Sequence, residues 1–566
     1  MSAEFDLSAL PRPQRWTLRN LWGAIALVAI GAAIAQTGIF SRDVVNEGGW
    51  SLVQEFWAAA LRPDLSPEFV AIALDASLKT LGYAVCGTVF SAAIGLVGGV
   101  LCSEVWWQSV WPTHPRRAQM IWVALRGALA VPRAIHELIW GLFFVNIFGL
   151  DPLVAILAIA LPFGAITAKV FSELLDETPR APLGTLLSSG ASPISAFLYS
   201  ILPQAFPSLL SYGFYRFECS VRSAAVLGVI GAGGLGYQLL LSLKSLRYSQ
   251  LWTLFIALIL LSGAIDAWSA ILRRRIGAPS RLDLNVGKLQ RRQPRREADW
   301  ILRASWIGTV GLVIFSFFYV GADFSKLWSP RTQALLADIA ATAFPPDFSQ
   351  AGDLLELSLQ TLAMSIVAMS WAGAVAIFLS FWAAQNLLLP GGLFRPEAGD
   401  RAAWLRGMAV LVTTRLVLLV SRAIPPPIWA LVLLFVLFPG ILPGAIALGL
   451  YNLGVLGRLM AEVIENLDER PARALHSLGA SRGQIIFYSL LPNTLPRFLA
   501  YILYRWEVCI RATVIVGLVG AGGLGRRLTE QLSNFDYPGL LSTLLCFMAL
   551  TFMVDLISAS VRRSLR

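Results

Sequence analysis

Moved along itself by 289 residues, this chain lays Leu186–Gly236 over Leu475–Gly525 without a gap, and 23 of those 51 positions are identical. The same shift superposes Arg126 on Arg415, Arg133 on Arg422, Trp140 on Trp429, Glu173 on Glu462 and Asp266 on Asp555, while a shift of 281 matches Ser77-Leu78 with Ser358-Leu359. A chain written twice folds as two copies of one plan packed on each other. Hydropathy says what the plan is. Of the 566 residues 56% are hydrophobic and 14% charged, against about a quarter charged in soluble chains. A membrane-spanning helix takes roughly 20 apolar residues. Such stretches fall near 20–40, 75–104, 120–148, 152–173, 203–232 and 249–272, then again near 302–321, 356–386, 406–437, 440–462, 492–521 and 537–561. The sequence therefore predicts an all-α polytopic membrane protein of about 12 transmembrane helices. Six spans per repeat is an even number, so the two repeats are parallel, related by an axis along the membrane normal.

Composition sets the boundaries: a first repeat over 1–272, a basic linker over 273–303 and a second repeat over 304–566. Net charge is +11, and between Arg273 and Arg303 ten basic residues stand against three acidic ones. Arg12, Arg15 and Arg19 precede the first span and Arg562, Arg563 and Arg566 close the chain, whereas 41–68 and 322–353 lean acidic. The positive-inside rule then predicts cytoplasmic termini and linker for a chain surrounded by membrane lipid. The basic excess reads as topology, not nucleic-acid binding.

The linker is far too short to hold a nucleotide-binding or catalytic domain. No Gly-x-x-x-x-Gly-Lys-Ser/Thr phosphate loop occurs, so this chain is not expected to cradle ATP. Cys86, Cys102, Cys219, Cys509 and Cys546 have unrelated spacings, and His114, His136 and His476 do not cluster. Neither a disulfide framework nor a metal or nucleophile constellation is predicted. The chain reads as a non-enzyme with no cofactor of its own.

The strongest local pattern follows the fourth span of each repeat, over about 176–202 and 465–491. The first copy runs Leu186-Leu187-Ser188-Ser189-Gly190-Ala191-Ser192 to Leu202-Pro203, the second Leu475-His476-Ser477-Leu478-Gly479-Ala480-Ser481 to Leu491-Pro492. It predicts a short helix, a Gly-Ala-Ser turn, a second short helix, and a proline opening the next span, where a missing N–H is harmless. A loop needs no repeated pattern merely to connect helices, so it is read as a docking surface for a cytoplasmic partner.

The pattern resembles the cytoplasmic EAA loop of ABC importer permeases, with Gly190 twelve and thirteen residues before Leu202-Pro203 and Gly479 likewise before Leu491-Pro492. The Glu-Ala-Ala triplet itself is replaced by Gly184-Thr185-Leu186 and Arg473-Ala474-Leu475. In that family the loop inserts into an ATP-hydrolysing subunit. The resemblance thus implies two copies of a cytoplasmic ATPase, carrying ATP and Mg, and an extracytoplasmic substrate-binding protein.

The fifth span of each repeat carries Tyr215-Arg216-Phe217-Glu218 with Arg222, and Tyr504-Arg505-Trp506-Glu507 with Arg511. Glu218 with Arg222 and Glu507 with Arg511 are spaced to pair along one helix face. They read either as an internal ion pair or as a charged patch beside a pathway. Beyond them stand Gly231-Ala232-Gly233-Gly234-Leu235-Gly236 and Gly520-Ala521-Gly522-Gly523-Leu524-Gly525, predicted as a hinged or re-entrant turn. Glu-x-x-x-Arg followed by this glycine run resembles permeases of phosphonate and phosphite importers, over 70–270 and 355–560. The usual member of that family is one half that dimerises, so fusion is a departure.

Arg133 and Arg422 in the third spans fit an oxyanion pathway, since guanidinium matches phosphate geometry. Asp266 and Asp555 are read as interfacial groups facing the last basic turns. The resemblance implies a permease subunit moving phosphonate, phosphite or a related phosphorus oxyanion. Fused permeases for ferric iron or thiamine, and a twelve-helix secondary transporter, are the alternatives.

Overall fold

The computed structural model describes residues 18–40, 44–111, 115–276, 300–389, 392–393 and 401–564. The predicted cytoplasmic linker falls largely outside these, as do residues 1–17 and 565–566. Among the described residues nine helices are long and apolar enough to cross a membrane, eleven when each of two bent pairs counts as one span. A further apolar helix, Asn20–Gln36, occupies the first predicted position. An antiparallel bridge joins Val45 to Leu437.

The first repeat holds α1 (Leu18–Gln36), α2 (Pro67–Leu101), α3 (Pro115–Ala134), α4 (Glu137–Phe148), α5 (Pro152–Asp176), α6 (Ala181–Ser188), α7 (Pro193–Leu227), α8 (Gly234–Lys244) and α9 (Tyr248–Ile276). The second holds α10 (Trp300–Val320), α11 (Ala351–Ala383), α12 (Arg401–Ala423), α13 (Pro426–Leu433), α14 (Ile441–Glu465), α15 (Arg470–Ser477), α16 (Leu491–Leu518), α17 (Gly523–Ser533) and α18 (Tyr537–Ser564). Large helix pairs form where small residues let backbones approach. On α2 a Cβ at Gly95 would lie 2.4 Å from Thr167 of α5, and on α14 one at Gly449 would lie 2.3 Å from the Trp371 ring of α11.

Two sequence expectations need correction. The third span, predicted as one helix over 120–148, is broken: Arg116–Ala134 and Glu137–Phe148 meet at 83°. His136 turns extended (φ −68°, ψ 146°) and its ring nitrogen accepts the Leu138 N–H. In the second repeat Pro425, Pro426 and Pro427 impose the same break, because a proline drives the residue before it out of the helical region.

The proline expected to open the fifth span opens α16 in the second repeat but not α7 in the first. Pro203 sits inside α7, which already starts at Pro193, and Pro492 follows a π-helical turn at Ile486–Leu490. Beside each proline an amide side chain serves a backbone carbonyl: Gln204 donates to Ser200 at 2.6 Å and Asn493 to Ser489 at 2.8 Å. With 35 residues, α7 is about 50 Å long, so one end projects beyond a hydrocarbon layer of about 30 Å.

Repeat and packing unit do not coincide. The first span of each repeat lies on the other repeat: α1 packs on α11 and α18, and α10 packs on α2. A Cβ at Gly82 would fall 2.5 Å from Val320, and the Tyr319 hydroxyl donates to Asp75 at 2.6 Å. The sixth spans cross as well, α9 onto α12 and α18 onto α3. The two copies are therefore interlocked.

After the fifth span the chain turns back at the glycine run, with φ of 94°, 88° and 70° at Gly231, Gly233 and Gly234 and 98°, 78° and 69° at Gly520, Gly522 and Gly523. These left-handed values favour glycine. The returning helix crosses its own span backbone to backbone: a Cβ at Gly236 would lie 1.8 Å from the Ala225 carbonyl oxygen. Gly236→Ala should therefore cost about 1–3 kcal/mol, the range of an overpacked contact. Gly213→Ala on α7, the span that is crossed, with nothing within 4 Å, should cost nothing. Thermal unfolding in detergent compares them, and equal midpoints would refute the close crossing.

Candidate functional site

The Gly-Ala-Ser elbow is a helix stop followed at once by a helix start. Gly190 takes φ 84°, its N–H reaches the Leu187 carbonyl at 3.1 Å and the Ala191 N–H reaches Leu186 at 3.1 Å, a Schellman ending that satisfies the last carbonyls of α6. Ser192 then caps α7, its hydroxyl accepting the Ser195 N–H at 3.2 Å. The second copy repeats this geometry with Gly479 at φ 82°, Gly479 N–H to His476 at 3.0 Å and Ala480 N–H to Leu475 at 3.1 Å. Ser481 caps Arg482–Ile485, and Gln484 closes the box by accepting the Ser481 N–H at 2.8 Å. Leu186, Leu475, Ala191 and Ala480 are half-buried, while Gly190, Gly479, Ser192, Ser481, Pro203 and Pro492 are exposed.

Each elbow is tied at its base to the third span. In the first repeat Asp176 at the end of α5 pairs with Arg126 of α3 at 3.3 Å and accepts the Ser103 hydroxyl at 2.6 Å; Arg126 also donates to the Cys102 carbonyl at 3.0 Å. In the second, Glu465 pairs with Arg415 at 2.6 Å and Arg415 donates to the Ala383 carbonyl at 3.0 Å. The carboxylates thus join the ends of the second, third and fourth spans in one knot.

Seven residues further along the same helices stand Arg133 and Arg422. Both lie at the seam between repeats. Arg422 of α12 pairs with Asp266 of α9 at 3.7 Å, and Arg222 lies within electrostatic reach of both. The counterpart cluster is Arg511, which pairs with Asp555 at 3.7 Å, with Arg133 of the other repeat beside both. Each cluster gathers two guanidinium groups around one carboxylate, drawn from the fifth and sixth spans of one repeat and the third span of the other. Each therefore carries surplus positive charge.

The expected Glu218–Arg222 and Glu507–Arg511 pairs do not form. Arg222 and Arg511 reach only the backbone carbonyls of those glutamates, at 3.4 and 2.9 Å. The Glu218 carboxylate instead takes Arg273 from the end of α9 at 2.8 Å, and Glu507 takes Arg562 from the end of α18. Arg273 is oriented by Ser269 at 2.6 Å and Arg562 by Ser558. A tertiary partner held by a neighbouring hydroxyl wins over a helix-local one. The same exchange corrects the expectation for Asp266 and Asp555, which face the seam arginines and not the last basic turns.

The glycine turns are anchored by hydroxyls the sequence reading missed. Thr80 of α2 accepts the Leu235 N–H at 2.8 Å, and Thr361 of α11 accepts the Leu524 N–H at 2.9 Å. Thr80 and Thr361 recur at the 281 shift, and Asp176 with Glu465 and Arg273 with Arg562 at the 289 shift. Retention of side-chain type at the repeat displacement was the available signal. Glu137 has no mate in the second repeat: it accepts the Ser223 hydroxyl at 2.7 Å and lies 3.2 Å from His136, where the second repeat has Pro425 and Pro426.

Comparison with known proteins finds relatives of both repeats. The family described as binding-protein-dependent transport system inner membrane component matches residues 120–278 and 405–566. The phosphate-import permease protein PhnE of Mycolicibacterium smegmatis is 27% identical over 493 residues, 86% of this chain and 85% of that one. The phosphite transport system permease protein PtxC of Stutzerimonas stutzeri is 31% identical over 281 residues, 48% of this chain but 95% of its own length. A putative cryptic phosphonate transport system permease, PhnE2 of Escherichia coli, is 34% identical over 118 residues, 21% of this chain and 97% of its own. No solved structure matches the chain. Matched once in each repeat and over more than half its residues, the chain belongs to the binding-protein-dependent transport system inner membrane components, with two permease halves fused in one polypeptide.

Proposed function

We propose that this chain is the pathway-forming subunit of an ATP-driven importer of phosphorus oxyanions. The observation that carries the reading is the pair of seam clusters, each holding two arginines around one aspartate contributed from both repeats. Charge inside a span persists where it is paired or faces a polar cavity, and surplus guanidinium suits a phosphoryl oxygen. The relatives named for phosphate, phosphite and phosphonate transport support the same substrate class.

The elbows are the sites where two cytoplasmic ATPase subunits dock, and a separate binding protein delivers substrate from outside. ATP and Mg belong to the ATPase, and this chain binds no cofactor. Movement of an elbow passes through the Asp176–Arg126 and Glu465–Arg415 knots into the third spans, and so to Arg133 and Arg422. Rotation of interlocked lobes about the seam would remake the cross-repeat pairs and alternate access. Glu218, Glu507 and the glycine turns at Gly231, Gly233, Gly234, Gly520, Gly522 and Gly523 frame the pathway. The two elbows differ chemically, since α6 carries no charged residue whereas α15 exposes Arg470 and Arg473.

Two measurements test this. Gly190→Asp with Gly479→Asp places a bulky anion at φ values that favour glycine, and should abolish co-purification of the ATPase. Retained, stimulated ATP hydrolysis would refute docking at the elbows. Arg133→Ala with Arg422→Ala should slow phosphite uptake about tenfold or more, the loss of one charge-assisted hydrogen bond, with assembly intact. Unchanged uptake would remove both arginines from the pathway.

A further inference from the structure

At one buried position the two repeats stop being interchangeable. Tyr215-Arg216 and Tyr504-Arg505 are identical dipeptides at the repeat shift. Arg505 directs Nε and Nη2 onto the amide oxygen of Asn452 on α14, at 2.9 and 2.7 Å. The residue in the corresponding place on α5 is Phe163, which offers no acceptor. Arg216 lies over its ring instead, Cζ 4.2 Å from the centroid. Its Nε and Nη2 are buried and neither has a hydrogen-bond partner among the described residues.

A ring face compensates a dry guanidinium only in part, because the in-plane N–H groups stay unsatisfied. Arg216 is 7% exposed, so it is buried without being sealed. Around it stand Tyr212, Tyr215, Cys219 and, from the other repeat, Tyr504. These are neutral groups, and the one from the other repeat places Arg216 at the seam. Arg222, six residues along the same helix, shares Tyr215 and Cys219 as neighbours.

We propose that Arg216 is an anion-binding residue of the pathway, taking a phosphorus oxyanion on the Nε and Nη2 edge that in Arg505 is turned to the Asn452 oxygen, while Arg505 is structural. The proposal rests on the oxyanion reading above and adds to it a one-sided binding position. Two phosphoryl oxygens, or one shared, would meet Nε and Nη2 side by side, the fork that guanidinium presents to phosphate. The Tyr215 and Tyr504 hydroxyls supply neutral donors for the remaining oxygens.

The test uses the purified full chain in detergent, with thermal unfolding followed in inorganic phosphate against sodium chloride of equal ionic strength. Phosphate should raise the wild-type midpoint, and the rise should vanish in Arg216→Gln and persist in Arg505→Gln. Phe163→Asn keeps the charge but gives Arg216 an internal acceptor, so it should also remove the rise even if Arg216→Gln folds poorly. A full-sized rise in both Arg216→Gln and Phe163→Asn, or none in wild type, overturns the proposal. A rise produced by phosphatidylglycerol micelles but not by inorganic phosphate would place a lipid headgroup there and overturn it as well. Nucleotide-driven phosphite uptake by the reconstituted wild-type importer separates the two levels. Uptake present with an Arg216-independent phosphate effect sinks this site alone, whereas absence of wild-type uptake sinks the oxyanion reading beneath it.

Discussion

An arginine within a membrane span is tolerated only where a carboxylate, a carbonyl or a polar cavity receives it. In this protein the receiving group is usually on another helix. Arg126 and Arg415 are met by the ends of the fourth spans, Glu218 and Glu507 by the ends of the sixth, and Arg422 by an aspartate of the opposite repeat. Each pairing resolves a local electrostatic cost by fixing one element against another. The seam between repeats, the attachment of the elbows and the anchoring of the fifth spans all follow from it. Apolar packing through glycine contacts brings the helices close enough for these groups to meet, but it is the charged groups that specify which helix meets which.

Duplication and asymmetry coexist on this frame. The elbows share one turn geometry down to their hydrogen-bond distances, yet α15 presents arginines where α6 presents small and apolar residues. The break in the third span is made by His136-Glu137 in one repeat and by prolines in the other. Asn452 against Phe163 settles whether a buried guanidinium is satisfied or left open. Each difference spares the backbone plan and alters a polar group lining it. Fusing the halves in one chain permits this, because a protein built from two identical subunits must carry every change twice.

Much of the architecture was legible before any coordinates. Twelve apolar stretches, the parallel relation of the repeats, the elbow turn and the glycine hinge rest on short-range rules: hydropathy over about 20 residues, left-handed φ at glycine and capping by serine. The site was legible by residue more than by partner. Arg133, Arg422, Arg222 and Arg511 were recognisable as buried-segment charges, but the i, i+4 spacing of Glu218 and Arg222 pointed to a local pair that tertiary contacts replaced. Thr80, Asp176 and Arg273 carried no motif of their own. Their importance lies in what they touch.

The sequence by itself determined the class of protein, the duplicated helix plan and the positions where the backbone must turn, because those depend on the solvent a segment can occupy and on the dihedral range of single residues. Only the tertiary structure decided that α1 and α10 lie on the opposite repeats, that Asp266 reaches Arg422 across the seam, and that Arg216 is left without the acceptor Arg505 enjoys. Those are contacts between residues dozens to hundreds of positions apart. Nothing in local periodicity encodes them, since they arise when packed helices bring distant charges within a few ångströms in a medium that will not solvate them.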